Sequence, residues 1–559
     1  MKQHALQHIV DSAYCFPVSK DEITIRLRTA TGDVERVWVI YESKYKIAQS
    51  QEKLEMAKAF EGELFDYYSV TLKLKDTRLA YVFYIYDGQD YYYFSEDGAT
   101  KDYDFEKSYY NFFQYPYINE ADILGKVNWL SNASFYQIFI DRFNIGDKDK
   151  DMSYINMKWG DKPLPKSFAG GDLKGIIDKL DYIKGIGCDA LYLTPIFKSP
   201  SNHKYDIVDY FQVDEQFGNS QDLHTLVKEL HNRGMKIVLD AVFNHVSEHN
   251  EKFADVVQKG RESEYFDWFV IDGDLPTKEP LNYEVFAGCK YMPKWNTSNS
   301  AVQDYLMSIA LFYINEFDID GWRLDVSDEI SHDFWRRFRK EVKAAKKDAV
   351  IIGENWHDAS NYLRGDQYDS IMNYAFTKAA LDYFAYNKMD AAHMARKLND
   401  ILARNTDTVN DMMMNLLDSH DTDRFYSEVG EDNDKLHAAL ALLYLFPGEP
   451  SIFYGTEVYT PGGYDPDCRR CMDWEAAGQD LEVKELIKKL SDVRKKCEFS
   501  SEGTRIYASE DGRLLCIERH GKKSDARLYI NQTDKQGIDR EIQVDPMGFK
   551  LFVNGGEMV

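Results

Sequence analysis

The chain has 559 residues and a formal net charge of −26, from 68 basic and 94 acidic side chains. That length exceeds one compact domain and predicts three or four. The acidic balance argues against nucleic acid or an anionic membrane as partner, because phosphate binding needs a basic face. It suits a neutral ligand.

The first residues, Met1-Lys-Gln-His4, open no apolar signal core, and the longest apolar run, Ala439 to Phe446, is too short to span a membrane. A cytoplasmic location is expected. Residues 1–122 read as a β-sandwich. Glu22-Ile-Thr-Ile-Arg-Leu-Arg28 and Tyr68-Ser-Val-Thr-Leu-Lys-Leu74 alternate with period two, and turn signals at Thr31-Gly-Asp33 and Asp87-Gly88 separate such runs. Of 39 tyrosines, 11 fall between Tyr81 and Tyr117. Flat rings serve as core filling or as sugar platforms. Neighbours such as Tyr91-Tyr-Tyr93 must point to opposite faces of a strand, so most of the 11 are expected to be packing.

From 123 to 500 the rhythm changes. Short apolar runs at Phe135–Phe139, Ala190–Thr194, Lys236–Ala241, Gly321–Asp325, Val350–Glu354, Ser370–Asn373, Met413–Leu417 and Ser451–Tyr454 alternate with helical patterns. The helices are expected at Leu173–Gly185, Ser220–Arg233, Val302–Phe317 and Asp333–Ala345. This order predicts an α/β fold, a (β/α)8 TIM barrel. A long lobe, residues 246–300, follows the third strand without an expected helix. Residues 501–559 return to strand alternation and predict a C-terminal β domain.

Barrel sites lie at the C-terminal ends of the strands. There the chain carries Asp240-Ala-Val-Phe-Asn-His245, Gly321-Trp-Arg-Leu-Asp325, Gly353-Glu-Asn-Trp-His357 and Leu417-Asp-Ser-His-Asp421. Each admits a plain structural reading: Asp240 a buried partner of a barrel arginine, Arg323 and Asp325 an ion pair, Glu354 a cap, His420 and Asp421 a structural pair. Together they bring three carboxylates to one mouth, which suits glycoside hydrolysis by a carboxylate nucleophile and a protonated acid. One carboxyl is expected to have its pKa raised by its neighbours. The seven scattered cysteines form no disulfide framework, and Cys468-Arg-Arg-Cys471 lacks the second half of a zinc site.

These four segments resemble the signature regions of the α-amylase family of glycoside hydrolases, and the likeness runs from about Phe135 to the C-terminus. The resemblance implies Asp325 as nucleophile, Glu354 as general acid/base and Asp421 as transition-state stabiliser. It implies that Arg323 orients Asp325, that His245 and His420 hold sugar hydroxyls, and that Asp240 and Asn244 shape the site. Met292-Pro-Lys-Trp-Asn296 is similar to the Met-Pro-Lys-Leu-Asn element of neopullulanases, maltogenic amylases and cyclomaltodextrinases, with Trp295 in place of Leu. Asn202-His-Lys-Tyr-Asp206 resembles the loop that sets a tyrosine, here Tyr205 beside His203, under the reacting sugar. Gly462-Gly-Tyr-Asp-Pro-Asp-Cys-Arg-Arg470 resembles the loop gripping the next sugar, here through Asp465 and Arg469, and makes the CxxC incidental. Trp356 and Phe286 are further candidate sugar contacts. Val326 after the nucleophile accompanies tolerance of α-1,6 bonds in this family. Asp328 and Asn355 depart from its usual residues.

Asp147, Asp149 and Asp151 open like an EF-hand, but Met152 and Lys158 stand where Gly and Glu are required. The subfamily resemblance instead implies a structural calcium site from Asn144, Asp147, Asp149 and Asp151 with Gly170 and Asp172. It implies a retaining hydrolase of α-1,4, and also α-1,6, bonds in cyclodextrins, pullulan and maltooligosaccharides, with transglycosylation. α-Glucosidase, glucanotransferase or a catalytically silent accessory protein are the alternatives. An N-terminal β domain of this type implies a homodimer.

Overall fold

The structure is a computed structural model and describes residues 1–107 and 110–559, so Tyr109 of the tyrosine cluster lies outside the described residues. The eight apolar runs form eight parallel strands: β1 (Phe135–Ile138), β2 (Ala190–Leu193), β3 (Lys236–Ala241), β4 (Gly321–Leu324), β5 (Val350–Gly353), β6 (Ser370–Ile371), β7 (Met414–Leu416) and β8 (Glu449–Phe453). All their residues are buried except the half-buried Lys236. Burial on both faces explains unbroken apolar runs where a half-exposed strand would alternate. The hydrogen-bonded order is β6-β5-β4-β3-β2-β1-β8-β7, and a parallel bridge from Met372 to Met414 closes the ring. The barrel is thus the expected TIM barrel.

Helices cover it where the 3.6-residue pattern predicts. Ser220–Asn232 opens with Asn219 and Asp222 in a capping box and buries Leu223, Leu226, Val227 and Leu230. Such a cap contributes about 1 kcal/mol. His332–Ala345 buries Phe334, Trp335, Phe338 and Val342. The expected helix Leu173–Gly185 is two, Leu173–Ile177 and Leu180–Gly185, because Lys179 between them leaves helical geometry. The lobe does contain a helix, Glu251–Lys259, capped by the Asn250 side chain. Trp295 is 1% exposed and stacks on Phe269 with ring centroids 4.8 Å apart, so it is core of the lobe.

The chain divides into two compact units. Val127–Tyr386 and Met412–Glu498 hold the barrel; Met1–Lys126, Asn387–Asp411 and Phe499–Val559 form the other. The second unit departs from the expected 123–500 barrel span, since it takes helix Ala391–Ala403. That helix buries Met394, Leu398, Ile401 and Leu402. Its Asn399 Nδ2 donates to the carbonyls of Glu61 (3.1 Å) and Ile506 (3.0 Å). Residues 1–122 supply antiparallel strands, Cys15–Ser19, Glu22–Ala30, Phe65–Lys73, Glu52–Glu61, Arg36–Glu42, Leu79–Tyr86, Tyr91–Ser95 and Gly98–Thr100 in spatial order. The C-terminal residues supply a five-stranded sheet beginning at Arg505–Ala508.

Most tyrosines here pack. Tyr81 is fully buried and its hydroxyl lies 3.2 Å from Cys15 Sγ and 2.6 Å from His8 Nε2. Tyr91 stacks on Tyr84 and Tyr86, and Tyr93 on Tyr103. Arg26, 1% exposed, donates to the Asn405 carbonyl and to Asp407 Oδ1, both at 2.6 Å, from within the same unit.

Candidate active site

Strand register builds the site. Asp240 on β3 pairs with Arg323 on β4, and Leu324 pairs with Gly353 on β5. The next residues, Asp325 and Glu354, therefore emerge side by side. Arg323 is fully buried beneath them. Its Nη1 donates to Asp240 at 3.0 Å and to Asp325 Oδ1 at 2.8 Å. Its Nη2 lies 3.0 Å from Glu354 Oε2 and 4.0 Å from Asp421 Oδ2. One guanidinium thus faces four carboxylates.

Val326 is held at φ 43°, ψ 45°, a left-handed state costly for a β-branched residue. In that state its N–H donates to Glu354 Oε2 at 2.9 Å. Trp356 Nε1 donates to the other oxygen at 3.1 Å. The acid/base candidate is thereby fixed on both oxygens.

Burial, then the Glu354 charge, push the Asp325 carboxyl well above the usual aspartate range, while Arg323 pulls it back in part. From the sequence such a raise is expected on the proton donor and from neighbouring charge; here it falls on Asp325, the expected nucleophile, and burial is its first cause. Asp240 is raised to about 6 by burial. The histidines move the other way. Burial lowers His245 to about 3 and His203 to about 4, and it lowers His420 with help from Arg469 and Arg323. All three are neutral near pH 7. Gln137 Nε2 donates to His420 Nδ1 at 2.6 Å, so the His420 proton sits on Nε2, which lies 2.6 Å from the Tyr205 hydroxyl. That hydroxyl donates to Asp240 at 2.9 Å.

A cavity of about 670 Å³ opens over these groups. His203, Tyr205, His245, Phe286, Asp325, Glu354, Trp356, Asp421, Asp465 and Arg469 all line it. Arg323 and His420 lie beneath. His245 stacks on Phe286 at 4.6 Å, and its buried Nε2 has no hydrogen-bond partner among the described residues. Trp356 lies on Tyr374 at 3.6 Å and is 47% exposed. Arg469 pairs with Asp465 at 2.9 Å and with Asp421 at 3.3 Å. Among the described residues no cysteine forms a disulfide. Cys468 is buried, its thiol is pushed up to about 12, and it donates to the His420 carbonyl.

Family models for the α-amylase catalytic domain and the α-amylase N-terminal Ig-like domain match residues 137–509 and 1–119. The chain belongs to the α-amylase family. It is a glycoside hydrolase of that family. It is 42% identical over 540 residues to a cyclomaltodextrinase of Thermoanaerobacter pseudethanolicus, covering 96% of this chain and 94% of that one. It is 41% identical to neopullulanase 2 of Thermoactinomyces vulgaris, covering 99% and 95%. A solved cyclomaltodextrinase superposes with a TM-score of 0.89 at 35% identity, covering 96% of this chain and 92% of that chain.

The α-amylase-type cavity also has lining residues that the sequence did not single out: Tyr291, Tyr386, Asp423, Glu428 and Tyr464. Tyr464 stands inside the Gly462–Arg470 loop, which is its sequence signal, and is 69% exposed. A second cavity, about 600 Å³, shares His203, Tyr291, Asp465 and Arg469 with the first.

The residues expected to bind calcium do not fit that ion. Asp172 accepts from the backbone N–H groups of Gly146, Asp147 and Gly175. Asp147 pairs with Lys174 at 2.7 Å, Asp151 accepts from Ser153, and the Asn144 amide donates to Gly175. The Asp149 backbone N–H donates to Asp147, and the Gly170 carbonyl accepts from Lys150. Among the described residues no group of three or more His, Cys, Asp and Glu is arranged to hold a metal. No helix among them is long and apolar enough to cross a membrane.

Proposed function

We propose that this chain hydrolyses α-1,4 bonds of cyclodextrins, pullulan and maltooligosaccharides with retention of configuration. It accepts α-1,6 bonds as well, and it passes the glucosyl unit to sugar acceptors as well as to water. One observation carries the reading: Asp325 and Glu354 sit on the two nitrogens of one buried guanidinium at the mouth of the cavity. Two carboxyls so held are close together. That favours the short spacing of retaining hydrolysis over the roughly 6.5–9.5 Å that an inverting enzyme needs to admit water.

In this reading Glu354 protonates the glycosidic oxygen while Asp325 attacks the anomeric carbon. Glu354 then takes a proton from water, and the hydroxide releases the sugar from Asp325. Asp421 adds negative charge beside the oxocarbenium-like centre. His245, neutral and unpartnered at Nε2, is free to bind a sugar hydroxyl. Trp356 and Phe286 offer apolar faces to sugar rings. The names of the relatives, cyclomaltodextrinase and neopullulanase, support the substrate class. The adjoining cavity gives room for a branch or an acceptor. An intracellular maltogenic amylase of Bacillus subtilis, 40% identical, supports a cytoplasmic place.

The test is a product profile on β-cyclodextrin, pullulan and soluble starch. Maltose and glucose from cyclodextrin and panose from pullulan are expected. Glucose alone from maltotriose, with cyclodextrin untouched, would make it an α-glucosidase. No turnover of any of them would leave only a binding role. We also propose pairing of two copies through residues 1–122, supported by the outermost ring of the Tyr84–Tyr86–Tyr91 stack, Tyr91, which is 47% exposed while the other two are half-buried. Sedimentation equilibrium showing only monomer at micromolar concentration would rule this out.

A further inference from the structure

We infer that the ammonium group of Lys150 is the built-in cation of the loop 144–151 and takes the place of the calcium ion implied there. The side chain is 8% exposed. Its Nζ donates to the carbonyls of Gly170 at 2.6 Å and Gln216 at 2.8 Å, and lies 2.9 Å from Asp172 Oδ2. An ammonium has three N–H donors, and here it meets three oxygens. The Tyr154 ring lies 5.8 Å from Nζ, and the Tyr154 hydroxyl donates to the same Gln216 carbonyl at 3.2 Å.

A buried cation is costly unless it is paired and fully hydrogen-bonded, and this one is both. Its partner Asp172 is 1% exposed, so the pair neutralises itself in the interior. Calcium asks for six to eight oxygens at about 2.3–2.6 Å. The Lys150 side chain supplies no oxygen and already occupies the Gly170 carbonyl and Asp172 Oδ2. Lysine at this position serves the loop in two ways. It crosses to segments 20 and 66 residues away, as a metal would, and it does so at any calcium concentration.

The test is thermal unfolding of the whole chain after exhaustive dialysis against chelator. Wild type should melt at the same temperature with chelator and with excess calcium. It should also give no saturable heat in a calcium titration. A melting temperature that falls on chelation, or a saturable calcium isotherm, would overturn the inference. This arm needs no variant to fold. Lys150→Met removes the charge and offers no oxygen, so it should melt several degrees lower with or without calcium. Lys150→Asn offers an amide oxygen in a vacated space and should regain much of that loss when calcium is added. Its site should also bind terbium with luminescence sensitised through Tyr154, where wild type stays dark. A Lys150→Met protein that melts like wild type would show that the ammonium carries no load and would sink the proposal.

Discussion

Asp325→Asn is expected to lower kcat on maltooligosaccharides by a factor on the order of 10⁴ or more, because it removes the attacking carboxylate at nearly constant volume. The same change should not weaken the fold. Asp325 is buried, and its carboxyl lies well above the ordinary range. Such a group contributes stability below its unfolded pKa of about 3.9 and loses that contribution as pH rises through the folded value. The variant has no such loss, and Arg323 keeps Asp240 and Glu354 as partners. Melting curves from pH 4 to 8 should therefore show the variant gaining on wild type as pH rises. Turnover within tenfold of wild type would remove Asp325 from its role. A variant that unfolds at neutral pH would remove the electrostatic argument.

Glu354→Gln is expected to cost about 10²- to 10⁴-fold on natural glucans, the span of general acid catalysis. The loss should depend on the leaving group. A departing glucose needs a proton, whereas a dinitrophenolate does not. The first step should stay fast on a dinitrophenyl glucoside and the second should slow, so the glycosyl-enzyme accumulates. A pre-steady-state burst of dinitrophenol, with azide restoring turnover, is the expected signature. Equal losses on both substrates, with no burst, would assign Glu354 a positioning task instead. The Val326 and Trp356 bonds to Glu354 make the glutamine variant conservative in shape, since an amide still offers one acceptor oxygen.

The barrel was legible because strands buried on both faces must be apolar runs, and all eight runs became strands. The carboxylates were legible because strand ends aim at the mouth, so a polar residue after an apolar run has one place to go. What escaped is what depends on partners far away in the chain. Helix Ala391–Ala403 has an ordinary amphipathic face, and nothing in its pattern says that it docks on strands from both termini. The lobe helix Glu251–Lys259 is short, and its signal was a single Asn250 cap. Lys150 looked like one more surface charge among aspartates, since its three oxygens come from residues 170, 172 and 216. The calcium expectation weighed the acidic residues of the loop and not the Lys150 ammonium beside Asp172.

The unit built from three separate stretches of chain bears on the order of synthesis. Arg26 leaves the ribosome early, yet the backbone and carboxylate that receive it, at residues 405 and 407, follow some 380 positions later. Of the strands that cover helix Ala391–Ala403, Arg505–Ala508 and Leu514–Arg519 come last of all. The N-terminal sheet therefore shares its compact unit with residues 387–411 and 499–559. Its Arg26 meets both acceptors only after six of the eight barrel strands have been made. A chain that has not yet reached residue 405 lacks both acceptors of the Arg26 guanidinium.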